Sequence, residues 1–278
     1  MSLAPGTKVR LTFLADNRAS REGLAAEHGL AVLVERGGSA VLLDTGAGGA
    51  LLANAAALGV DLSRVGAVAL SHGHYDHTGG LDALLEVVPE GVPVRAHPGA
   101  LVRRYAVRPG PGAREIGFRG GDAARRRVLA SEGAVGIAPG LVLTGRVPRT
   151  NGFEDTGGPF FLDPAGREPD LIVDDQSLIA MTGAGNVLIC GCAHAGVLNT
   201  LAHAAVVAGD DRFVAVVGGF HLGSAGPERI ARTVRALEAA GVKRVGPAHC
   251  TGEAACAALA EAFGERFLHC SAGTVLEF

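Results

Sequence analysis

A ten-residue stretch at positions 71–80, SHGHYDHTGG, constrains this chain more than any other feature. Three histidines and one aspartate fall within six positions, beside glycines and a serine that argue against a buried helix. They are His72, His74, Asp76 and His77. Imidazole and carboxylate groups this close together are typical metal ligands, because Zn²⁺ binds His nitrogen and Asp oxygen at about 2 Å, usually four at a time. The stretch therefore predicts a metal-binding loop.

The spacing of these four side chains predicts two metal ions. In an extended chain, residues two apart point to the same side, so His72 and His74 can share one ion. A turn at the glycines that follow lets Asp76 and His77 reach a second ion nearby. Asp76 is also a candidate catalytic residue, because a carboxylate can accept a proton from a nucleophile, although a ligating carboxylate is a poor base.

Three more histidines lie at or near the ends of apolar runs that predict β-strands, namely His194, His221 and His249. Strand ends that converge on one cleft are how layered folds build active sites. We therefore expect these three side chains to complete the site, with His221 as a second candidate catalytic residue. The remaining four histidines are expected to be ordinary surface or core residues: His28, His97, His203 and His269. For His97, which precedes Pro98 at a predicted strand end, a place in the pocket lining stays open as an alternative.

Predicted strands alternate with predicted helices in both halves of the chain. Apolar, β-rich runs predict strands at 9–16, 30–38, 39–46, 65–71, 92–98, 170–183, 186–194, 213–222, 242–250 and from 274. Helical patterns occupy 50–59, 81–88, 197–206, 227–241 and 253–264. This order predicts an α/β fold with two sheets in the core and helices outside. No linker of disordered composition interrupts it, so we expect one domain over residues 1–278.

An arginine-rich segment follows the first group of strands. Residues 103–127 contain eight arginines but only Glu115 and Asp122 as acidic residues. The strand and helix patterns weaken over about 99–150, which indicates an insertion. Two interpretations stay open for it: a solvated surface, or a lid that meets an anionic substrate.

Charge and cysteine content limit the partners and the compartment. The formal net charge of −3 argues against a protein whose overall field attracts nucleic acid or anionic lipid. No run of about 18 apolar residues indicates a membrane span, and the first residues lack the features of a secretory signal. The five cysteines are an odd number without paired spacing, which indicates reduced thiols. We expect a cytoplasmic protein without membrane or nucleic-acid partners; the sequence does not indicate its oligomeric state.

The histidine motif resembles the metallo-β-lactamase superfamily. It follows an apolar strand, with Asp44 in LLDTG upstream and His194 and His249 downstream. The resemblance spans essentially the whole chain and implies an αββα sandwich of two mixed β-sheets flanked by helices, with a dinuclear metal site at one edge. Further stretches are similar to the branch that contains the archaeal 7,8-dihydropterin-6-methyl-4-(β-D-ribofuranosyl)aminobenzene 5′-phosphate synthases and many proteins described only as metal-dependent hydrolases. They are ADN at 15–17, AEHGL at 26–30, DDQSL at 174–178, CGCAHAGVLN at 190–199, GGFHL at 218–222 and PAHCTG at 247–252.

The resemblance implies a role for each matched residue. His72, His74 and His194 would hold one divalent metal ion, and Asp76, His77 and His249 the other. Asp44 would orient the histidine loop through hydrogen bonds, as ligating imidazoles generally require. Zinc is the expected metal, with iron and manganese as alternatives. Residues near the substrate pocket would be Asn17, Glu154 and Asp175, with Arg146 and Arg149 available to bind phosphates.

One position departs from the commoner superfamily pattern. Many members carry an aspartate that bridges both metals after the strand corresponding to 213–218, where this chain reads GGFHL. On an extended strand Gly219 and His221 face the same way, so His221 can enter the cavity as a terminal ligand or a hydrogen-bond donor. It cannot bridge two ions as a carboxylate does, which leaves the second metal position open.

Three functions from different classes remain at this point. The first, which we favour, is a metal-dependent hydrolase whose dinuclear centre activates water against a small, phosphorylated or otherwise anionic substrate. The second is a transferase that joins a pterin methyl diphosphate to an aminobenzene ribofuranosyl phosphate, where the metals would neutralise the leaving diphosphate. The third is a non-catalytic metal-binding or sensing module, for which the thiols of CGCAH at 190–194 and of HC at 249–250 would lie near the metals.

Overall fold

The computed structural model describes residues 7–110 and 112–278, and its strands form three sheets. The strands of these ranges are β1 (Val9–Ala15), β2 (Ala31–Arg36), β3 (Ser39–Leu43), β4 (Ala67–Ala69), β5 (Val94–Ala96), β6 (Tyr105–Arg108), β7 (Gly112–Glu115), β8 (Val128–Ala130), β9 (Val135–Ala138), β10 (Leu141–Leu143), β11 (Phe160–Phe161), β12 (Ser177–Thr182), β13 (Gly185–Cys190), β14 (Phe213–Gly219), β15 (Val245–Ala248) and β16 (Val275–Glu277). The α-helices are α1 (Leu51–Ala57), α2 (Tyr75–Thr78), α3 (Leu81–Leu85), α4 (Asp122–Arg127), α5 (Val197–Ala208), α6 (Pro227–Ala239) and α7 (Glu253–Phe263).

Two mixed sheets form the centre of the molecule. The first sheet has the strand order β16-β1-β2-β3-β4-β5-β8, and the second has the order β15-β14-β13-β12-β10-β9. In the first sheet, β3, β4, β5 and β8 are parallel and the other neighbours are antiparallel. In the second sheet, β13, β14 and β15 are parallel. A hairpin turn at Gly37-Gly38 joins β2 to β3.

Alternation along the strands explains why the two sheets stack. Val32 of β2 and Val187 of β13 belong to the apolar layer between the sheets. Their neighbours point the opposite way: Leu33 packs in the layer that includes residues of α1 and α3, and Leu188 in the layer that includes residues of α5, α6 and α7. Because successive strand residues face opposite sides, both faces of each sheet are covered. The predicted αββα sandwich is confirmed.

The outer helices are held by apolar residues on one face. In α6, Ile230, Thr233, Val234 and Leu237 are buried, which is the spacing of one helical face. Pro227 occupies the first turn, where its missing N–H costs no hydrogen bond. The helix thus covers the second sheet and leaves its charged face to solvent. No helix in the described part of the chain is long and apolar enough to cross a membrane.

The segment predicted as an insertion at 99–150 divides among all three sheets. β8 extends the first sheet beside β5, and β9 and β10 extend the second beside β12. β6 and β7 pair with each other and with β11 to form the small third sheet. The insertion is therefore partly integrated into the core, and its role as a lid stays a prediction for the third sheet.

Candidate metal centre

The candidate ligands follow the carboxyl ends of parallel strands. Asp76 and His77 lie in the short, buried helix α2, so the prediction that the stretch at 71–80 forms no buried helix was wrong for Tyr75–Thr78. Five non-glycine residues in the described ranges have a positive φ, and four of them follow β3, β13, β14 and β15: Asp44 (60°), Ala193 (53°), His221 (45°) and His249 (49°). Positive φ is uncommon for residues other than glycine and concentrates at functional sites. The backbone is therefore strained at the edge where the two sheets meet.

His72, His74 and His194 come together at this edge. His72 Nε2 lies 2.9 Å from His74 Nδ1. The ring centre of His194 is 4.8 Å from that of His72 and 4.9 Å from that of His74. All three side chains are buried. The first predicted ligand set is thus one cluster of imidazoles.

Asp76, His77 and His249 form a second cluster beside the first. Asp76 Oδ2 is 3.3 Å from His249 Nε2 and 3.8 Å from His77 Nε2. The two Nε2 atoms are 3.2 Å apart. The ring centres of His72 and His77 are separated by 4.2 Å, so the two clusters are adjacent.

The outward hydrogen bonds of four imidazoles fix which nitrogen faces the cluster. In each case Nδ1 donates to an oxygen: His72 to Ser71 Oγ (2.9 Å), His77 to Asp44 Oδ2 (2.7 Å), His194 to the Thr156 carbonyl (2.8 Å) and His249 to Asn17 Oδ1 (2.8 Å). When such an imidazole is neutral, Nε2 keeps a lone pair; His77, whose pKa is raised to about 9, has to lose its Nε2 proton before it can bind a metal. Such outward partners are what metal-binding histidines use to fix tautomer and orientation.

These lone pairs test whether a metal fits. The Nε2 atoms of His77 and His249 face each other at 3.2 Å, a separation that either a shared proton or a metal ion between them accommodates. Nε2 of His74 and of His194 is buried and has no hydrogen-bond partner in the described part of the chain. Unpartnered buried nitrogens are costly unless something binds them. The donor set therefore fits divalent cations that accept nitrogen and carboxylate ligands.

The protonation states of His72, His74 and His194 also suit metal binding. Burial lowers the pKa of His74 to about 3 and holds the pKa values of His72 and His194 well below the usual value for histidine. Neighbouring imidazoles lower the pKa of His72 and of His194 further. All three are thus neutral at pH 7, which is the form of imidazole that binds metal.

Charge is concentrated in the second cluster. Burial opposes a charge on His77, but the carboxylates of Asp44 and Asp76 outweigh it and raise the pKa of His77 to about 9. Burial also acts to raise the pKa of Asp76, yet His77 and His249 hold that pKa well below its usual value. Asp76 is therefore an ionised carboxylate, able to accept hydrogen bonds or bind a cation.

Asp44 ties the histidine loop to the end of β3. Its Oδ1 accepts from the Ser71 backbone N–H (2.7 Å), and its Oδ2 accepts from the Ser71 hydroxyl (2.6 Å) and from His77 Nδ1 (2.7 Å). The carboxylate is completely buried. One side chain thus orients both ends of the loop.

A buried ion pair holds the middle of the same loop. Asp174 Oδ2 accepts from the backbone N–H of Gly73 (2.8 Å) and from Arg104 Nη1 (2.8 Å). Arg104 Nε is also 2.7 Å from Asp170 Oδ2. Added side-chain bulk at Gly73 is excluded, because a Cβ there would lie 2.0 Å from the Ala100 carbonyl oxygen. The backbone between His72 and His74 is therefore fixed from two sides.

Four of the five residues predicted near the substrate support the ligand loops or the helix that follows, and Arg146 does not. Asn17 holds His249, Asp175 Oδ2 accepts from the Ala195 N–H (2.8 Å), and Arg149 donates to the His194 carbonyl (2.7 Å). The Glu154 carboxylate accepts the N–H groups of Leu198 and Asn199 at the start of α5 (3.0 Å each). Arg146 is exposed, and its backbone N–H pairs with the Glu132 carbonyl. Burial raises the pKa of Asp175 to about 7. None of these five side chains is among the described residues that line the cavity.

A cavity of about 630 Å³ opens onto both clusters. His74, His194, Asp76 and His249 line its floor, and the third sheet lines one side with Arg108, Arg114 and Phe160. The guanidinium of Arg114 lies 4.7 Å from the centre of the Tyr75 ring, within cation–π range. Two of the eight arginines of segment 103–127 thus reach the cavity.

His221 lies at the wall of this cavity, as its place after β14 predicts. Its ring centre is 4.1 Å from that of His194, and its Nδ1 has no hydrogen-bond partner in the described ranges. Gly157 packs against the ring, where a Cβ would lie 1.9 Å from His221 Cδ2. The catalytic role of His221 stays a prediction.

Sequence reasoning missed His28 as a residue of the site and gave Cys192 no ligand role. His28, expected to be an ordinary histidine, has Nε2 3.2 Å from Asp76 Oδ2 and lines the cavity. Cys192, expected near the metals only as a thiol of a metal-binding or sensing module, has Sγ 3.2 Å from His77 Nε2. The position of Cys192 two residues before His194, in the same loop after β13, was the available signal.

Comparison with known proteins agrees with this geometry. The family model described as the metallo-beta-lactamase superfamily matches residues 25–249. The chain is 28% identical over 297 aligned positions to the 7,8-dihydropterin-6-methyl-4-(beta-D-ribofuranosyl)-aminobenzene-5'-phosphate synthase of Methanocaldococcus jannaschii, covering 100% of this chain and 99% of that protein.

Two solved structures are also similar. Tm1679, described as a metal-dependent hydrolase of the beta-lactamase superfamily, is 34% identical with a TM-score of 0.82, covering 96% of this chain and 98% of that one. The metallo-beta-lactamase fold protein YhfI of Bacillus subtilis is 14% identical with a TM-score of 0.58, covering 98% of this chain and 100% of that one. At that identity, the second likeness shows the fold alone.

Proposed function

This chain belongs to the metallo-β-lactamase superfamily, and from that premise we propose that it is a metal-dependent hydrolase acting on a small anionic substrate. The observation that carries the proposal is the cavity, which has buried imidazoles on its floor and two arginines on one wall. Such a pocket combines groups that bind metal with groups that bind an anion. The description of Tm1679 as a metal-dependent hydrolase supports the same reaction class.

We assign the metal ions to the two clusters. His72, His74 and His194 would hold one divalent ion, and Asp76, His77 and His249 the other, with zinc the expected metal. When bound, two such ions lower the pKa of a shared water towards neutrality and polarise the bond to be broken. The chain itself supplies fixed orientation, since the Nδ1 atoms of His72, His77, His194 and His249 are held by outward hydrogen bonds.

Arg108 and Arg114 are the proposed anion-binding residues. Both lie on the third sheet and face the cavity that opens onto the clusters. Guanidinium groups form paired hydrogen bonds with phosphate or carboxylate oxygens, which favours a phosphorylated or carboxylated substrate. Asp76 and His221 are the proposed groups for moving a proton beside the substrate, because both line the same cavity.

Turnover with a matched pair of variants tests the hydrolase. Protein loaded with zinc, iron or manganese is screened against phosphomonoesters, phosphodiesters and carboxylic esters. We expect activity that His74→Ala abolishes together with bound metal, while His269→Ala, at an exposed histidine outside the clusters, retains both. Equal activity in His74→Ala and the parent would contradict the proposal.

A second candidate is a pterin-transferring synthase, favoured by the full-length similarity to the Methanocaldococcus jannaschii enzyme. In that reaction, an aminobenzene ribofuranosyl phosphate would displace diphosphate from a pterin methyl group, and the cavity arginines would bind phosphate groups. Diphosphate release from a pterin methyl diphosphate distinguishes the two. Release that requires the aminobenzene acceptor indicates the synthase, whereas release in water alone indicates the hydrolase.

A further inference from the structure

Cys192 lies between the two clusters of candidate ligands. Its side chain is 2% exposed, in the loop just after β13. Its sulfur belongs to a group with one ring nitrogen each of His72 and His194, and these three atoms lie within 4.8 Å of one another. A second group of the same kind contains the sulfur of Cys192 and one ring nitrogen each of His77 and His249. Among the described residues, Cys192 alone belongs to both of these groups.

The last residue of β14 has no side chain that could reach the space between the two clusters. Gly219 occupies this position, and a Cβ there would lie 2.2 Å from the Gly191 carbonyl oxygen and 2.7 Å from Cys250 Sγ. Backbone and sulfur therefore already fill the space through which a side chain from position 219 would enter. Position 219 therefore cannot supply a side chain shared by both clusters.

We propose that the Cys192 thiolate is the shared ligand of the two metal positions. This inference rests on the proposed metal centre and adds a sulfur atom to its nitrogen and carboxylate ligands. Binding of a divalent ion releases the thiol proton to solvent and leaves the thiolate, which can donate a lone pair to each ion. Because thiolate is a soft ligand, the centre selects zinc, cobalt or iron over magnesium and manganese.

Cys250 is the competing sulfur. Its Sγ lies 3.3 Å from Cys192 Sγ, and it forms a third group with Cys192 and His221. It does not share a group with His72 and His194 or with His77 and His249. The geometry thus assigns the bridging role to Cys192 and places Cys250 beside it.

Cobalt substitution tests the assignment, because cobalt–thiolate bonds produce charge-transfer absorption in the near ultraviolet. The parent protein, Cys192→Ser and Cys250→Ser are each loaded with Co²⁺, and bound cobalt is counted by elemental analysis. We expect the band in the parent and in Cys250→Ser, and its loss in Cys192→Ser with Co²⁺ affinity about 10- to 100-fold lower. A band that persists in Cys192→Ser, or disappears only in Cys250→Ser, overturns the assignment.

X-ray absorption of the zinc-loaded parent protein keeps the test independent of how the variants fold. We expect a sulfur shell at about 2.3 Å from zinc in addition to nitrogen and oxygen. Bound zinc with nitrogen and oxygen neighbours only would overturn the thiolate and leave the proposed metal centre intact. Failure of the parent to bind any metal would overturn both, so the two failures are distinguishable.

Discussion

Asp44 shows how a residue outside the ligand set can control the site. Its carboxylate accepts from Ser71 and His77, and its φ is 60°. Asparagine tolerates this left-handed conformation, so Asp44→Asn changes the charge while leaving the backbone acceptable. We expect Asp44→Asn to weaken metal binding about 10- to 100-fold, because the support of a ligating histidine is lost. Competition with a coloured chelator measures the affinity.

Asp61→Asn is the matched control for that change. Asp61 also bonds a nearby serine, Ser63, but it lies on the surface before a short 3₁₀ turn, away from the clusters. Its replacement should leave metal affinity unchanged. An equal loss in both variants would mean that the affinity follows overall negative charge and not the support of His77.

Individual ligands were easier to predict than their surroundings. The HxHxDH spacing itself predicts that His72 and His74 point to the same side, because residues two apart on an extended chain share a side. His28 gave no such local signal, and Cys192 gave only its nearness to His194 in the sequence, since their places depend on β13 and on the loop before β2 meeting at one edge. The sequence alone does not show which residues that are distant along the chain meet at one site.

At the scale of elements, strand β6 is held to the core by the ion pairs of Arg104, the residue directly before it. Arg104 is 1% exposed and pairs with Asp170 and Asp174, whereas the adjacent Arg103 is exposed and pairs with Glu115. Arg104→Ala would leave two buried carboxylates without their counter-charge. We expect a loss of about 3–5 kcal/mol in the free energy of unfolding, measured by urea denaturation at fixed metal concentration.

The neighbouring arginine supplies the control for this prediction. Because the Arg103–Glu115 pair is exposed to solvent, Arg103→Ala should change the free energy of unfolding by only about 0–1 kcal/mol. Similar losses in the two variants would show that the buried network does not hold the histidine loop in place.

The third sheet makes a separate prediction about substrate. If Arg114 binds the anionic group, Arg114→Ala should lower kcat/KM about 10- to 100-fold, as expected for loss of a charge-assisted hydrogen bond. The metal content should not change, since Arg114 contacts no candidate ligand. Arg126→Ala, at an exposed arginine of α4 outside the cavity lining, should retain full activity. An unchanged kcat/KM in Arg114→Ala would contradict the anion-binding role.

The elements themselves were predictable to different degrees. Strands β1 to β4 and β12 to β15 follow apolar runs that predict them, and α5 to α7 follow helical patterns. The sequence did not predict the third sheet, because β11 has only two residues and pairs with β6, more than fifty positions earlier in the chain. Short strands with distant partners carry too few residues for an alternating pattern.

At the scale of the whole molecule, stacking brings loops from both sheets to one edge. β3 and β4 belong to the first sheet, and β13, β14 and β15 to the second, yet their carboxyl ends supply one buried cluster. A metal ion bound there connects the two sheets. Metal binding should therefore stabilise the folded chain against unfolding, because the unfolded chain does not preform the site.

Thermal unfolding with and without metal measures this coupling. At a free zinc concentration 100 times the dissociation constant, binding at one site adds about 2.7 kcal/mol, which corresponds to a rise of about 5 °C in Tm for a chain of this size. Chelation should reverse the rise, and magnesium should not reproduce it, since nitrogen-rich sites prefer zinc. His194→Ala should lose the rise, while the exposed His269→Ala should keep it. A rise that survives in His194→Ala would mean that zinc stabilises the chain somewhere other than the edge where the two sheets meet.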